Sequence, residues 1–120
     1  MKFRLARHTT DLNKIQGFYQ AILGLDLLSS FNNHNGYDGI FLGKHNASWH
    51  LEFTISREEP NHITDEDDFL VFYVSSEEQK TIRKKCQDSN IPILKAKNPY
   101  WNQNGIVISD PDNYRIIIAI

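Results

Sequence analysis

The residues with the widest chemical scope in this 120-residue chain are its five histidines, its single cysteine and the carboxylates near them. The segment His50-Leu51-Glu52-Phe53 alternates polar and apolar side chains with the period of a strand. His50, Glu52 and Thr54 therefore share one face, and Trp49, Leu51, Phe53 and Ile55 the other. The apolar set belongs under a helix, which leaves an imidazole and a carboxylate on the open face. On the first predicted strand, His8 shares a face with Arg4 and Ala6. Two chemistries are open to His8, His50 and Glu52. His8 and Glu52 can form a hydrogen-bonded or ion pair in a polar pocket, or all three a two-histidine, one-carboxylate group for a divalent ion. Residues two apart on a strand lie about 6.6 Å apart, so convergence on one ion needs help from rotamers or strand twist.

Other residues offer binding rather than bond-making chemistry. Tyr100 and Trp101, flanked by Asn98 and Asn102, read as a loop with aromatic walls and amides, which is how small organic ligands are held. The same pair can instead close a core edge or a dimer interface. Arg115 has the parity of Ile117 and suits a carboxylate or phosphate; the alternative is an exposed pair with Asp110 or Asp112. His34, His45 and His62 fall in predicted loops and read as solvated. Cys86 sits at an inward helical position, where a lone thiol is inert packing. No nucleophile elbow, phosphate loop or dinucleotide fingerprint occurs.

The elements that must position these residues follow from periodicity. Residues 3–8 read as a strand, and Thr10-Asp11 as the cap of a helix with Leu12, Ile15, Phe18, Tyr19 and Ile22 on one stripe, closed by Gly24. Strands follow at 25–31, 37–43 and 48–55, with a hairpin turn at 32–36. Residues 56–67 form an acidic linker. The pattern then restarts with a strand at 69–74 and a helix from the Ser75/Glu78 capping box to about Asn90. Three strands at 91–96, 105–109 and 114–120 complete it, the last two joined by the turn Asp110-Pro111-Asp112-Asn113. Two tandem β-α-β-β-β modules (1–55 and 68–120) thus make up a single domain spanning 1–120. One helix per four strands covers one sheet face only, so the expected fold is α+β: a curved mixed sheet around a cavity, helices outside.

Composition limits the function classes. Thirteen basic against fifteen acidic side chains give a net charge of −2, without the basic footprint of a nucleic-acid binder. No apolar run approaches the ~20 residues of a membrane span. Lys2, Arg4, Arg7 and His8 interrupt any signal-like apolar start, and one cysteine forms no internal disulfide. The expectation is a cytoplasmic protein whose partner is a small organic molecule, with neither nucleic acid nor membrane.

Three stretches carry a family likeness: Thr10-Asp11-Leu12 through Leu23-Gly24-Leu25, His50-Leu51-Glu52-Phe53, and Asp110-Pro111-Asp112-Asn113-Tyr114-Arg115-Ile116. In order along the chain, they resemble the glyoxalase/bleomycin-resistance/dioxygenase superfamily, also called the vicinal oxygen chelate (VOC) fold. The resemblance implies metal ligands at His8 and Glu52, with Zn, Ni, Mn or Fe(II) as the ion. It also implies two further ligands in the second module, where this chain has Phe69 and Ile117. The site is then half missing, and no cofactor is expected unless His8 and Glu52 find other ligands. Two readings follow from the resemblance. The first is a small-molecule-binding protein akin to the antibiotic-sequestering members, with His8, His50, Glu52, Tyr100, Trp101 and Arg115 around the ligand. The other is a metal-dependent glyoxalase-type lyase or isomerase, or a ring-cleaving dioxygenase, using His8 and Glu52, with Glu52 as catalytic base. The resemblance further implies a homodimer.

Overall fold

The computed structural model describes all 120 residues, which fall into two compact units, Met1–Asn61 and His62–Ile120. In the first, strand β1 (Phe3–His8) leads into helix α1 (Leu12–Ala21) and then strands β2 (Asp26–His34), β3 (Tyr37–Gly43) and β4 (Trp49–Ile55). The Asp11 carboxylate accepts the Lys14 backbone N–H at 3.0 Å, satisfying one of the donors a helix start leaves open. Gly24, at φ +65°, turns the chain out of the helix in a conformation that strains other residues. The four strands form a mixed sheet in the order β1-β4-β3-β2, with β1 and β4 parallel. The β2–β3 hairpin is tighter than the turn predicted at 32–36. Strand β2 continues to His34, and Asn35-Gly36, both at positive φ, make a two-residue loop whose twist matches the flanking strands.

Helix α1 covers one face of this sheet. Ile15 and Tyr19 are buried, and the Tyr19 ring stands 5.1 Å from that of Phe53. Leu42, Leu51 and Phe53 are buried with them. The opposite face carries Arg4, Ala6 and His8 from β1, paired in register with His50, Glu52 and Thr54 of β4. On the other side of β4, Phe41 lies opposite Glu52.

The second unit holds β5 (Phe69–Tyr73), α2 (Ser76–Asp88), α3 (Pro99–Asn104), β6 (Gly105–Ser109) and β7 (Arg115–Ala119), with a mixed sheet ordered β5-β7-β6. Residues 56–67 contain no helix or strand. Ser75 caps α2 by accepting the Glu78 N–H at 3.1 Å. At the far end Asn90 takes φ +56° and the Ile91 N–H reaches the Cys86 carbonyl at 2.8 Å, the hydrogen-bond closure typical of a left-handed C-terminal cap.

Two expectations are corrected here. The strand at 91–96 is reduced to a single bridge between Leu94 and Val107. Pro92 brings no N–H to a ladder, and the Asn102 side chain takes both backbone groups of Ala96. Its Oδ1 accepts the Ala96 N–H at 2.7 Å and its Nδ2 donates to the carbonyl at 3.0 Å. The predicted loop at 98–102 is instead the start of α3: Asn98 accepts the Tyr100 N–H at 3.1 Å and Pro99 occupies the first turn, where its missing donor costs nothing. Seven strands therefore stand where eight were expected, within the α+β class.

Strand β7 is buried on both faces, from Ile116 to Ala119. One face gathers Ile117, Ala119, Val107 and Ala96, against which Phe69, Val71, Leu94 and Trp101 pack. Cys86 is fully buried, and that burial pushes its thiol pKa up, opposed in part by Arg83; it is packing rather than a nucleophile.

Candidate functional site

The open face of the first sheet is organised by Arg4. Its Nε donates to His50 Nε2 at 2.9 Å, and its Nη1 lies 3.6 Å from Glu52 Oε2. The guanidinium carbon stands 5.0 Å from the centre of the Phe41 ring, a cation–π distance. Phe41 in turn meets the His50 ring edge-on at 5.5 Å and the Phe31 ring at 5.8 Å. Register explains the gathering: Arg4 is directly opposite His50 on the parallel neighbour, and Phe41 directly opposite Glu52 on the antiparallel one. Cross-strand pairs at that spacing are the contacts a sheet enforces.

The charges are distinct in kind. His50 is buried, and burial first, then Arg4 and Lys2, hold its pKa below the ordinary histidine value, with Glu52 acting in the opposite sense. Accepting the Arg4 N–H requires a lone pair on Nε2, so the imidazole is neutral and its hydrogen sits on Nδ1. The Glu52 side chain is mostly buried at 14% exposure, whereas that of Arg4 is half exposed at 50%. The cation therefore forms the accessible part of the cluster, and the neutral imidazole and carboxylate its support.

The expected hydrogen-bonded partnership of His8 with Glu52 is not what the geometry emphasises. His8 Nε2 lies 3.1 Å from Ser56 Oγ and its ring 6.1 Å from Tyr37, while the carboxylate of Glu52 faces Arg4. No group of three or more His, Cys, Asp or Glu side chains is disposed to hold a metal ion. The Nε2 lone pair of His50 is already engaged, and an ion bound at Glu52 would stand beside a fixed guanidinium. The second-unit positions Phe69 and Ile117 lie in the apolar cluster. The donor set does not fit the metal centre that the resemblance implies.

The other sequence candidates lie in the second unit. Trp101 packs its ring 6.1 Å from Phe69 and 4.8 Å from Tyr100, so it covers the Ile117 face; Tyr100 itself is exposed. Arg115 pairs with Glu66 at 3.8 Å rather than with Asp110 or Asp112. Asp110 uses Oδ1 to accept the backbone N–H groups of Asp112 and Tyr114, ordering the turn. His62 stands 5.2 Å from the Tyr114 ring. The residue that sequence reasoning passed over is Arg4. Its parity with His8 was visible, but a charged residue on a first strand reads as surface until the partner strand is known.

Comparison with known proteins places these observations. The fold is shared with glyoxalase I of Leishmania major (TM-score 0.75, 21% identity, 97% of this chain and 83% of that one). It is shared also with the fosfomycin resistance protein FosX of Listeria monocytogenes, solved with Mn(II) and a dihydroxypropylphosphonic acid (TM-score 0.73, 15% identity, covering 97% and 88%). These two likenesses show the fold, and it is the one the sequence motifs pointed to. Within it, models of the YycE-like N-terminal and C-terminal domains match residues 3–54 and 67–119, and the chain belongs to this YycE-like family. It is 37% identical over 118 residues to the uncharacterized protein YycE of Bacillus subtilis, covering 97% of this chain and 85% of that protein. The crystal structure of a Bacillus subtilis YycE protein superposes with a TM-score of 0.89 over 98% of this chain and 88% of that one.

Proposed function

We propose that the chain is a small-molecule-binding protein of its superfamily, with its site on the open face of the first unit's sheet, and that it holds its ligand without a divalent metal. The observation that carries this reading is the Arg4 guanidinium placed on His50 and Glu52. It engages Glu52, one of the two ligands the resemblance implies, and His50, the histidine that could have joined it, and puts a permanent positive charge beside them. His8, His50 and Glu52 are then ligand-positioning groups, with Phe41 and Phe31 as the apolar surface next to them. The reading keeps the protein in the cytoplasm as a homodimer, in line with the family resemblance. No helix is long and apolar enough to cross a membrane.

The test is elemental analysis of protein purified without chelator or affinity-tag metal, paired with native mass spectrometry for bound small molecules. The expected result is substoichiometric metal that does not change in a Glu52→Ala variant. A stoichiometric divalent ion, lost on Glu52→Ala, overturns the reading and leaves the metal-dependent lyase or dioxygenase.

A further inference from the structure

We infer that the ligand of this face is a small organic acid, a carboxylate or phosphate on an apolar body, and that Arg4 is the residue that recognises its charge. The inference rests on the metal-independent binding reading above and adds the ligand's chemical class. Its first support is the set of donors left open. Arg4 spends Nε on His50 and turns Nη1 toward Glu52, while its Nη2 has no partner in the protein. A guanidinium offers five N–H groups in a rigid fork that matches the paired oxygens of a carboxylate or phosphate. Here Nε and Nη1, on opposite sides of the group, hold the guanidinium in place, and Nη2, on a side chain half exposed, is left to meet an anionic oxygen. Fixing it in advance removes rotamer entropy that a free surface arginine would lose on binding.

Charge and shape agree with that assignment. Of the two charged side chains in the cluster, Arg4 is half exposed and Glu52 mostly buried, so the face presents positive charge. Beside it lie the rings of Phe41 and Phe31, 5.8 Å apart and both partly exposed. Phe31 lies across the backbone of Gly39, its partner in register. A Cβ on Gly39 would come within 2.3 Å of the Phe31 ring, so the glycine makes room for the ring to lie there. A fixed cation next to two rings suits an acid with a flat or aliphatic body rather than a bare inorganic anion.

The experiment uses the full chain and a matched probe set: benzoate and phenyl phosphate as acids, benzamide as the neutral isostere and benzamidinium as the cation. Binding is followed by ligand-observed and protein-observed NMR with and without EDTA, in the wild type, Arg4→Gln, Arg4→Lys and Glu52→Gln. The acids should bind more tightly than benzamide, unaffected by EDTA. Arg4→Gln should weaken them about 10- to 100-fold, as expected for a charge-assisted hydrogen bond, and leave benzamide unchanged. Arg4→Lys should recover part of the loss, and Glu52→Gln should tighten the acids severalfold, a gain that a merely structural role of Arg4 would not produce. If benzamide or benzamidinium binds as well as the acids, or Arg4→Gln leaves the acids unchanged, the ligand class is wrong while small-molecule binding stands. If the acids bind only after a divalent metal is added, the metal-independent reading falls with it. Failure of every probe to bind at millimolar concentration also overturns the inference.

Discussion

Replacing Arg4 with Met removes the guanidinium and keeps most of the apolar stem, so the perturbation is largely electrostatic. The variant loses the 2.9 Å bond to His50 and the 3.6 Å approach to Glu52. A hydrogen bond involving a charged group contributes about 1.5–3 kcal/mol; with Arg4 half exposed, solvent screening reduces this to roughly 1–2 kcal/mol. That loss depends on pH with a definite sign. In the wild type the folded-state pKa of His50 lies below its unfolded value, so the unfolded chain binds more protons between the two. Stability contributed by neutral His50 is fully present above the ordinary histidine value of 6.5 and is lost as pH falls toward the folded pKa. Removing Arg4 deletes the second-largest cause of the depression and leaves Glu52, which favours the charged form. The variant should therefore lose less stability on acidification than the wild type, and the difference between them should narrow as pH falls from 8 to about 5.5. Urea unfolding at several pH values measures this, with the His50 ring titration followed by NMR. A stability difference that stays constant across that range, or a His50 pKa no higher in the variant, refutes the account.

The Asn102→Ala change should cost about 2–4 kcal/mol, because the buried Ala96 N–H and carbonyl lose their only close partner. Hydrogen exchange should show loss of protection at the Ala96 amide. The Gly39→Ala change should cost about 1–3 kcal/mol through the clash with the Phe31 ring, and most of this should be recovered in the Gly39→Ala/Phe31→Ala double variant, measured by urea unfolding as a double-mutant cycle.

Helix boundaries and side-chain faces were legible in the sequence because their causes are local. Asp11 and Ser75 cap the helices that follow them, and simple alternation put His50 and Glu52 opposite the helix-covered face. The strand expected at 91–96 failed for a non-local reason. Its pattern is strand-like, but the Asn102 amide from the next element takes the hydrogen bonds a neighbouring strand would need. The signal for α3, an Asn followed by Pro at a helix start, was present and went unread. At the candidate site, residue types were readable and their partnerships were not. Whether Glu52 meets His8 or Arg4 depends on the register of β1 against β4 and on side-chain reach, and both strands had to be paired before it was settled.

That pairing ties the site to the order in which the first unit comes together. β2, β3 and β4 join through successive antiparallel neighbours, whereas β1 meets β4 across 46 residues and lies at the end of its four-stranded sheet. Closing so long a loop is the slower entropic step, so the polar cluster is completed after the β2–β4 meander rather than with it. The same dependence runs in reverse: when β1 frays from β4, Arg4 leaves His50 and Glu52 while the meander keeps its ladder. The site can thus be dismantled and rebuilt without unfolding the sheet on which it stands.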